Sequence, residues 1–110
     1  IESGIASRIT KEYPYLVPGK IDSNLYPGIP ETSTIQVNAL LVVSKTMDEE
    51  LIYKITEALW SDHTTTLLNK GHPQGKSIRP STALNGLSIP LHRGAKKFYF
   101  QHPERFPGLK

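Results

Sequence analysis

The sequence has no cysteine, one methionine, one tryptophan and no long apolar run. Without cysteine, neither disulfides nor thiolate chemistry is available to the chain. No apolar stretch approaches the roughly 20 residues that a membrane-spanning helix requires. The apolar fraction is 37%, and nine prolines and eight glycines indicate much irregular chain. A single domain accommodates all 110 residues, and we expect a piece of a larger protein that starts at a trimmed N-terminus.

Acidic residues are nearly absent from the second half of the chain. Residues 63–110 contain eight Lys/Arg against Glu104 alone, whereas residues 1–62 contain nine Asp/Glu against five Lys/Arg. A basic half is typical of proteins that bind nucleic acids or anionic ligands. A solvated basic surface is the other interpretation, because no recognised nucleic-acid motif accompanies the charge.

A strand and a helix form the clearest predicted unit. Residues 35–43 begin with alternating apolar positions and end apolar on both faces, which predicts a strand in a sheet covered on both sides. Thr46 and Glu49 fit a capping box for a helix that runs to Trp60 or Ser61. One apolar stripe is expected on this helix, made of Leu51, Ile52, Ile55, Ala58 and Leu59. The unit predicts an α/β fold.

The flanking segments are less regular. Residues 3–13 predict an amphipathic helix that Pro14 ends. Residues 15–30 contain two Pro-Gly turn signals, and residues 61–77 predict a loop. Ser81 to Asn85 is expected to form a short helix, and a last helix is expected over residues 95–101.

The usual catalytic and metal motifs are missing. Residues 71–77 have only three residues between their glycines, one of them proline, where a phosphate-binding loop has four. No two of the four histidines have the i, i+4 spacing of a helical zinc site, so no metal or cofactor is expected. No G-x-S-x-G elbow is present. We therefore expect no enzyme activity.

Tyr26 is the one candidate ligand-binding residue. It lies in a Tyr-Pro-Gly turn, with few apolar neighbours in sequence to bury it. Its phenol combines an apolar face with a hydroxyl that donates and accepts hydrogen bonds. Lining a small-molecule cleft and packing over its own turn both remain possible roles.

Several segments together resemble one family. They are Tyr26-Pro27-Gly28, the strand at 35–43, the helix that follows it, and Ile89-Pro90-Leu91-His92-Arg93-Gly94-Ala95. Over residues 5–100 the chain is similar to the C-terminal third of the TAXI family of solute receptors, which serve TRAP transporters. Arg93 stands where that family often has proline, and the chain is about a third of a family member's length.

The resemblance implies a fragment of a two-lobed periplasmic binding protein fold of the second type. It implies binding of a small organic anion, such as glutamate or a related dicarboxylate, and delivery to TRAP membrane subunits. Residues 15–35 would cross between lobes, and residues 35–100 would close one lobe. The alternative function is a small basic nucleic-acid-binding module built on residues 63–110.

Overall fold

A computed structural model describes residues 1–109 of the chain. Within them are four α-helices, two 3₁₀ helices and a two-stranded antiparallel sheet, a mixed α/β composition. The chain divides into two compact units. Unit 1 comprises Ile1–Leu40 and Asn85–Ser88; unit 2 comprises Leu41–Leu84 and Ile89 onward.

Unit 1 consists of a helix and a hairpin. Helix α1 spans Ser3–Glu12, which confirms the predicted helix before Pro14. Strand β1 (Leu16–Ile21) pairs antiparallel with β2 (Thr32–Val37), so that Leu16 lies opposite Val37. The segment 15–35, expected to cross between lobes, holds β1 and the first four residues of β2. Whether it crosses between lobes of a larger receptor stays a prediction.

The predicted strand at 35–43 was wrong over its second part. β2 ends at Val37, and residues 38–43 have no regular secondary structure. On the β1 side a turn at Pro14 and Tyr15, closed by the hydrogen bond from the Leu16 amide to the Tyr13 carbonyl, precedes the strand, so no extended chain lies opposite the residues beyond Val37. The apolar residues that indicated a buried strand are instead exposed, Leu41 at 76%.

The second part of unit 1, Asn85–Ser88, packs beside the hairpin. Asn38 donates its side-chain amide to the Asn85 carbonyl at 3.2 Å. Gly86 has a φ of +72°, which glycine adopts without the steric cost of a side chain. The short helix expected from Ser81 to Asn85 is a 3₁₀ turn at Pro80–Thr82, in unit 2.

Unit 2 begins with helix α2, which spans Glu49–Leu59. Its N-cap is Asp48, whose carboxylate accepts the Leu51 amide at 2.9 Å, so the expected capping by Thr46 was wrong. An ionised carboxylate is the stronger acceptor at the positive end of the helix dipole. The single apolar stripe was also wrong. Ile52 is buried, whereas Leu51 and Ile55 are 46% and 41% exposed.

The predicted loop at 61–77 is helical over most of its length. Helix α3 spans Asp62–Lys70, and Ser61 caps it by accepting the Thr64 amide. A 3₁₀ helix follows at Pro73–Ser77. Polar helices of this kind are easily missed, because α3 buries none of its residues and so shows no apolar periodicity.

Helix α4 spans Arg93–Gln101, which confirms the predicted last helix, and packs against α2. The core of unit 2 lies between them and the C-terminal segment, and consists of Trp60, Phe98, Tyr99 and Phe106. Phe106 is 1% exposed, and its ring lies 4.8 Å from that of Tyr99. Edge-to-face aromatic contacts of this kind add to the stabilisation from burial.

Candidate ligand-binding site

Tyr26 lies in the loop between β1 and β2. The Ile29 amide donates to the Tyr26 carbonyl at 3.2 Å, and Gly28 has a φ of +79°. Proline followed by glycine at positive φ is the pattern of a type II turn. The turn presents the Tyr26 ring, which is 57% exposed, and its hydroxyl makes no hydrogen bond within residues 1–109. An available aromatic face and hydroxyl fit a ligand contact, and its ligand role stays a prediction.

The same loop exposes further apolar surface. Leu25 is 63% exposed and Ile29 is 49% exposed, on either side of the Tyr26-Pro27-Gly28 turn. If Tyr26 packed over its own turn, its ring would be buried. More than half of Tyr26 is instead accessible. The loop therefore offers apolar surface beside the Tyr26 hydroxyl. The Lys20 and Glu31 side chains at the base of the loop pair with each other at 2.7 Å.

His92 has a structural role. Its Nδ1 accepts the Gly94 amide and its Nε2 lies near the Met47 carbonyl, both at 3.1 Å. Since Nδ1 must be unprotonated to accept, the proton lies on Nε2, which donates to Met47. The ring therefore caps α4 and ties it to the loop before α2. Both ring nitrogens of His92 are thus used within unit 2.

Gly94 packs α4 against α2, a role the sequence analysis missed. A β-carbon at Gly94 would lie 2.8 Å from the Tyr53 amide nitrogen and 3.0 Å from the Ile52 β-carbon, with the Glu49 carbonyl closer still. The sequence did carry a sign of this role. Glycine lowers helix propensity, so a glycine in the first turn of a helix indicates close packing at that point. The motif around His92 and Gly94 is thus part of the scaffold.

The remaining histidines lie apart from one another. His72 accepts the Gln74 amide and caps the 3₁₀ helix at Pro73–Ser77. His102 lies 4.0 Å from Glu104, and His63 is exposed. Among residues 1–109 no three His, Asp or Glu side chains gather closely enough to hold a metal ion.

A shallow depression of about 580 Å³ lies on the α2–α4 face of unit 2. Its lining combines four carboxylates with two lysines, a tyrosine and a glutamine: Asp48, Glu49, Glu50, Glu57, Lys54, Lys97, Tyr53 and Gln101. Acidic groups outnumber basic ones, so this depression repels an organic anion. This depression therefore does not suit an organic anion.

The basic side chains of the second half are partly used within unit 2. Arg93 and Lys97 lie 3.8 and 3.4 Å from the two carboxylate oxygens of Glu49. Arg105 donates to the Trp60 carbonyl at 3.1 Å. These contacts reduce the basic surface that a phosphate backbone would meet. They fit the interpretation of the charge as a solvated face with local ion pairs.

Tyr99 is the one core residue with a perturbed ionisation. Burial raises the pKa of the Tyr99 phenol, and the hydrogen bond from Trp60 partly opposes that shift. Trp60 Nε1 donates to the Tyr99 oxygen at 3.1 Å, inside the aromatic core. The pair satisfies two buried polar groups inside the core.

None of the helices in the described residues is long and apolar enough to cross a membrane. No solved structure matches the chain. A family model, that of the NMT1-like family, matches residues 2–101. Because this match covers most of the sequence, the chain belongs to the NMT1-like family, a family of the periplasmic solute-binding type.

Proposed function

We propose that this chain is part of an extracytoplasmic TAXI-type receptor that delivers a small organic anion to a TRAP-type membrane transporter. The observation that carries the proposal is the family match over residues 2–101, which supports solute binding in general. The TAXI resemblance adds the finer assignment. The preferred solute is glutamate or a related dicarboxylate, and the compartment is the periplasm.

The arrangement of the residues is consistent with binding by a surface that another lobe completes. The Ile89-Pro90-Leu91-His92-Arg93-Gly94-Ala95 segment caps and packs α4, so it serves the scaffold. Tyr26 is the candidate contact, because its ring and hydroxyl are accessible. Ligand pockets form preferentially between domains and need few polar groups, which suits a single exposed tyrosine as one contributor.

The solute leaves the receptor unchanged in this proposal, and the chain has no catalytic role. Incubation of a bound solute with the protein, followed by proton NMR of the solute, tests this point. We expect the spectrum of the solute to stay the same after many hours. Appearance of a new species at a rate proportional to protein concentration would contradict the proposal.

Thermal stabilisation tests the substrate class. A receptor that contains residues 1–110 with both lobes is heated with a panel of small carboxylates, and with neutral sugars as controls. A solute at 100 times its dissociation constant should stabilise the folded state by about 2.7 kcal/mol. Stabilisation by dicarboxylates alone is the expected result. No shift with any carboxylate would show that the substrate class is wrong.

Residues 1–110 alone should bind the same solute poorly, because the cleft implied by the resemblance needs a second lobe. Titration calorimetry of the isolated chain should give no saturable heat below about 1 mM solute, which corresponds to roughly 4 kcal/mol of binding free energy. Submillimolar binding by this piece would contradict that expectation. Binding of the chain to DNA that weakens steeply with added salt would instead support the nucleic-acid alternative.

A further inference from the structure

Asn85 is followed directly by a glycine that the fold requires. Gly86 lies in the turn at residues 83–86 and has a φ of +72°, a conformation that glycine adopts without steric cost. A β-carbon there would lie 3.0 Å from Val17 Cγ1 and 3.6 Å from the Tyr15 carbonyl oxygen, so the neighbouring hairpin leaves little room for one. Conformation and packing therefore both favour glycine after Asn85.

The groups on either side of this peptide bond are not engaged by the rest of the chain. Asn85 is exposed, and within residues 1–109 its side-chain amide makes no hydrogen bond. Within the same residues the Gly86 amide donates to no acceptor. The main-chain carbonyl of Asn85 does accept a hydrogen bond, from Asn38. The Asn85 carboxamide and the Gly86 nitrogen are therefore free to react with each other.

The other three asparagines lack this combination. Asn24 precedes Leu25, whose amide already donates to a main-chain carbonyl at 3.1 Å. Asn38 uses its own side-chain amide, which donates to Asn85 at 3.2 Å. Asn69 lies within helix α3, where the amide that follows it is held in the helical ladder. Each of the three also precedes a residue with a β-carbon, which hinders closure of a ring onto the next nitrogen.

We propose that Asn85 is a site of spontaneous deamidation, with water as the reactant. The Gly86 nitrogen, after its proton has passed to hydroxide, attacks Asn85 Cγ. An N–Cγ bond forms, the Cγ–Nδ2 bond breaks, and Nδ2 leaves as ammonia with a proton taken from water. Water then opens the cyclic imide. Opening at Cγ gives aspartate, and opening at the Asn85 carbonyl carbon gives isoaspartate, in which the main chain passes through the side chain.

The isoaspartate product changes the backbone where unit 1 depends on it. The main chain becomes longer by one methylene just before Gly86, and the carbonyl that accepts Asn38 becomes a carboxylate outside the main chain. The close contact between Gly86 and Val17 needs the ordinary chain length at this point. Deamidation therefore loosens Asn85–Ser88 from the hairpin. This inference is independent of the proposed function.

Peptide mapping of the folded chain tests the site. Trypsin divides the asparagines among three peptides: residues 21–45 hold Asn24 and Asn38, residues 55–70 hold Asn69, and residues 77–93 hold Asn85. The chain is incubated in mildly alkaline buffer, and its circular dichroism verifies that it stays folded. We expect peptide 77–93 to exchange NH2 for OH about tenfold faster than the other two, equivalent to about 1.4 kcal/mol of activation free energy. A peptide 77–93 that keeps its mass, or changes no faster than the others, overturns the proposal.

Two variants complete the test. Asn85→Gln is the matched control, because it keeps the amide and the main-chain carbonyl while its extra methylene slows ring closure; its peptide should keep its mass. Asn85→Asp supplies the other product with an unchanged main chain. Residues 77–93 contain no Asp or Glu, so a protease that cuts before aspartate but not before isoaspartate distinguishes the two products. The aged chain, freed of unmodified protein by ion exchange, should unfold at a lower urea concentration than Asn85→Asp. Equal unfolding midpoints overturn the loosening of Asn85–Ser88.

Discussion

Replacing Gly94 with alanine should destabilise unit 2, although alanine is the better helix former. Gly94 is the second residue of α4, and its missing side chain lets that helix lie against the α2 backbone. A β-carbon there would lie 2.8 Å from the Tyr53 amide nitrogen. Backbone atoms of a helix cannot give way as a flexible side chain does, so the two helices must separate.

The expected size follows from two opposing effects. Alanine gains about 1 kcal/mol of helix propensity over glycine. Overpacking costs typically 1–3 kcal/mol, and a contact with backbone falls at or above the upper end of that range. We expect a net loss of about 2 kcal/mol, which lowers Tm by roughly 8–16 °C in a domain of this size.

The assay has a matched control in the same chain. Gly4 is likewise the second residue of its helix, α1, and a β-carbon there would meet nothing within 4 Å. Gly4→Ala should therefore raise stability by about 0.5–1 kcal/mol. Urea unfolding followed by circular dichroism measures both variants, and the fluorescence of Trp60 reports on unit 2. A Gly94→Ala protein as stable as the parent would refute the packing account.

Three further predictions concern single side chains. His92→Ala should destabilise by about 1–2 kcal/mol in urea unfolding, and His92→Asn by less, because asparagine still caps α4; equal losses would contradict the capping role. Since the folded-state pKa of Tyr99 is raised, its contribution to stability is complete below pH 10 and declines as pH rises further. Urea unfolding from pH 9 to 11 should therefore show a steeper decline for the parent than for Tyr99→Phe, and parallel curves would refute this. Tyr26→Phe should weaken solute binding by the complete receptor, measured by calorimetry; an unchanged affinity would show that its hydroxyl makes no important bond.

The helices with a cap or an apolar face were the most predictable elements. α1 lies before Pro14, α2 begins within the segment that carried the capping-box pattern, and α4 covers the expected last helix. α3 was missed because it buries no side chain, and its Ser61 cap is not distinctive among the polar residues around it. Local sequence thus predicted the helices that carry an apolar spacing or a capping pattern and missed the polar one.

The strand predicted at 35–43 shows what local sequence does not determine. Its apolar pattern correctly predicted a strand from Ile35 to Val37, but a strand also needs a partner for its backbone groups. The turn at Pro14 and Tyr15 makes β1 begin at Leu16 and so ends the ladder at Val37, a long-range restriction that no pattern within 35–43 contains. Tyr26 was recognisable because its turn is local in sequence. Groups that would complete a ligand site with it lie at long range, and no local pattern identifies them.

We propose that this chain belongs to a receptor for a small organic anion. Titration calorimetry of the receptor that contains residues 1–110 and both lobes, with glutamate and related dicarboxylates, tests it most directly. We expect saturable binding of one solute per receptor. A competing dicarboxylate should lower the apparent affinity for that solute, and a neutral sugar should leave it unchanged. The claim is contradicted if no carboxylate in the panel produces saturable heat.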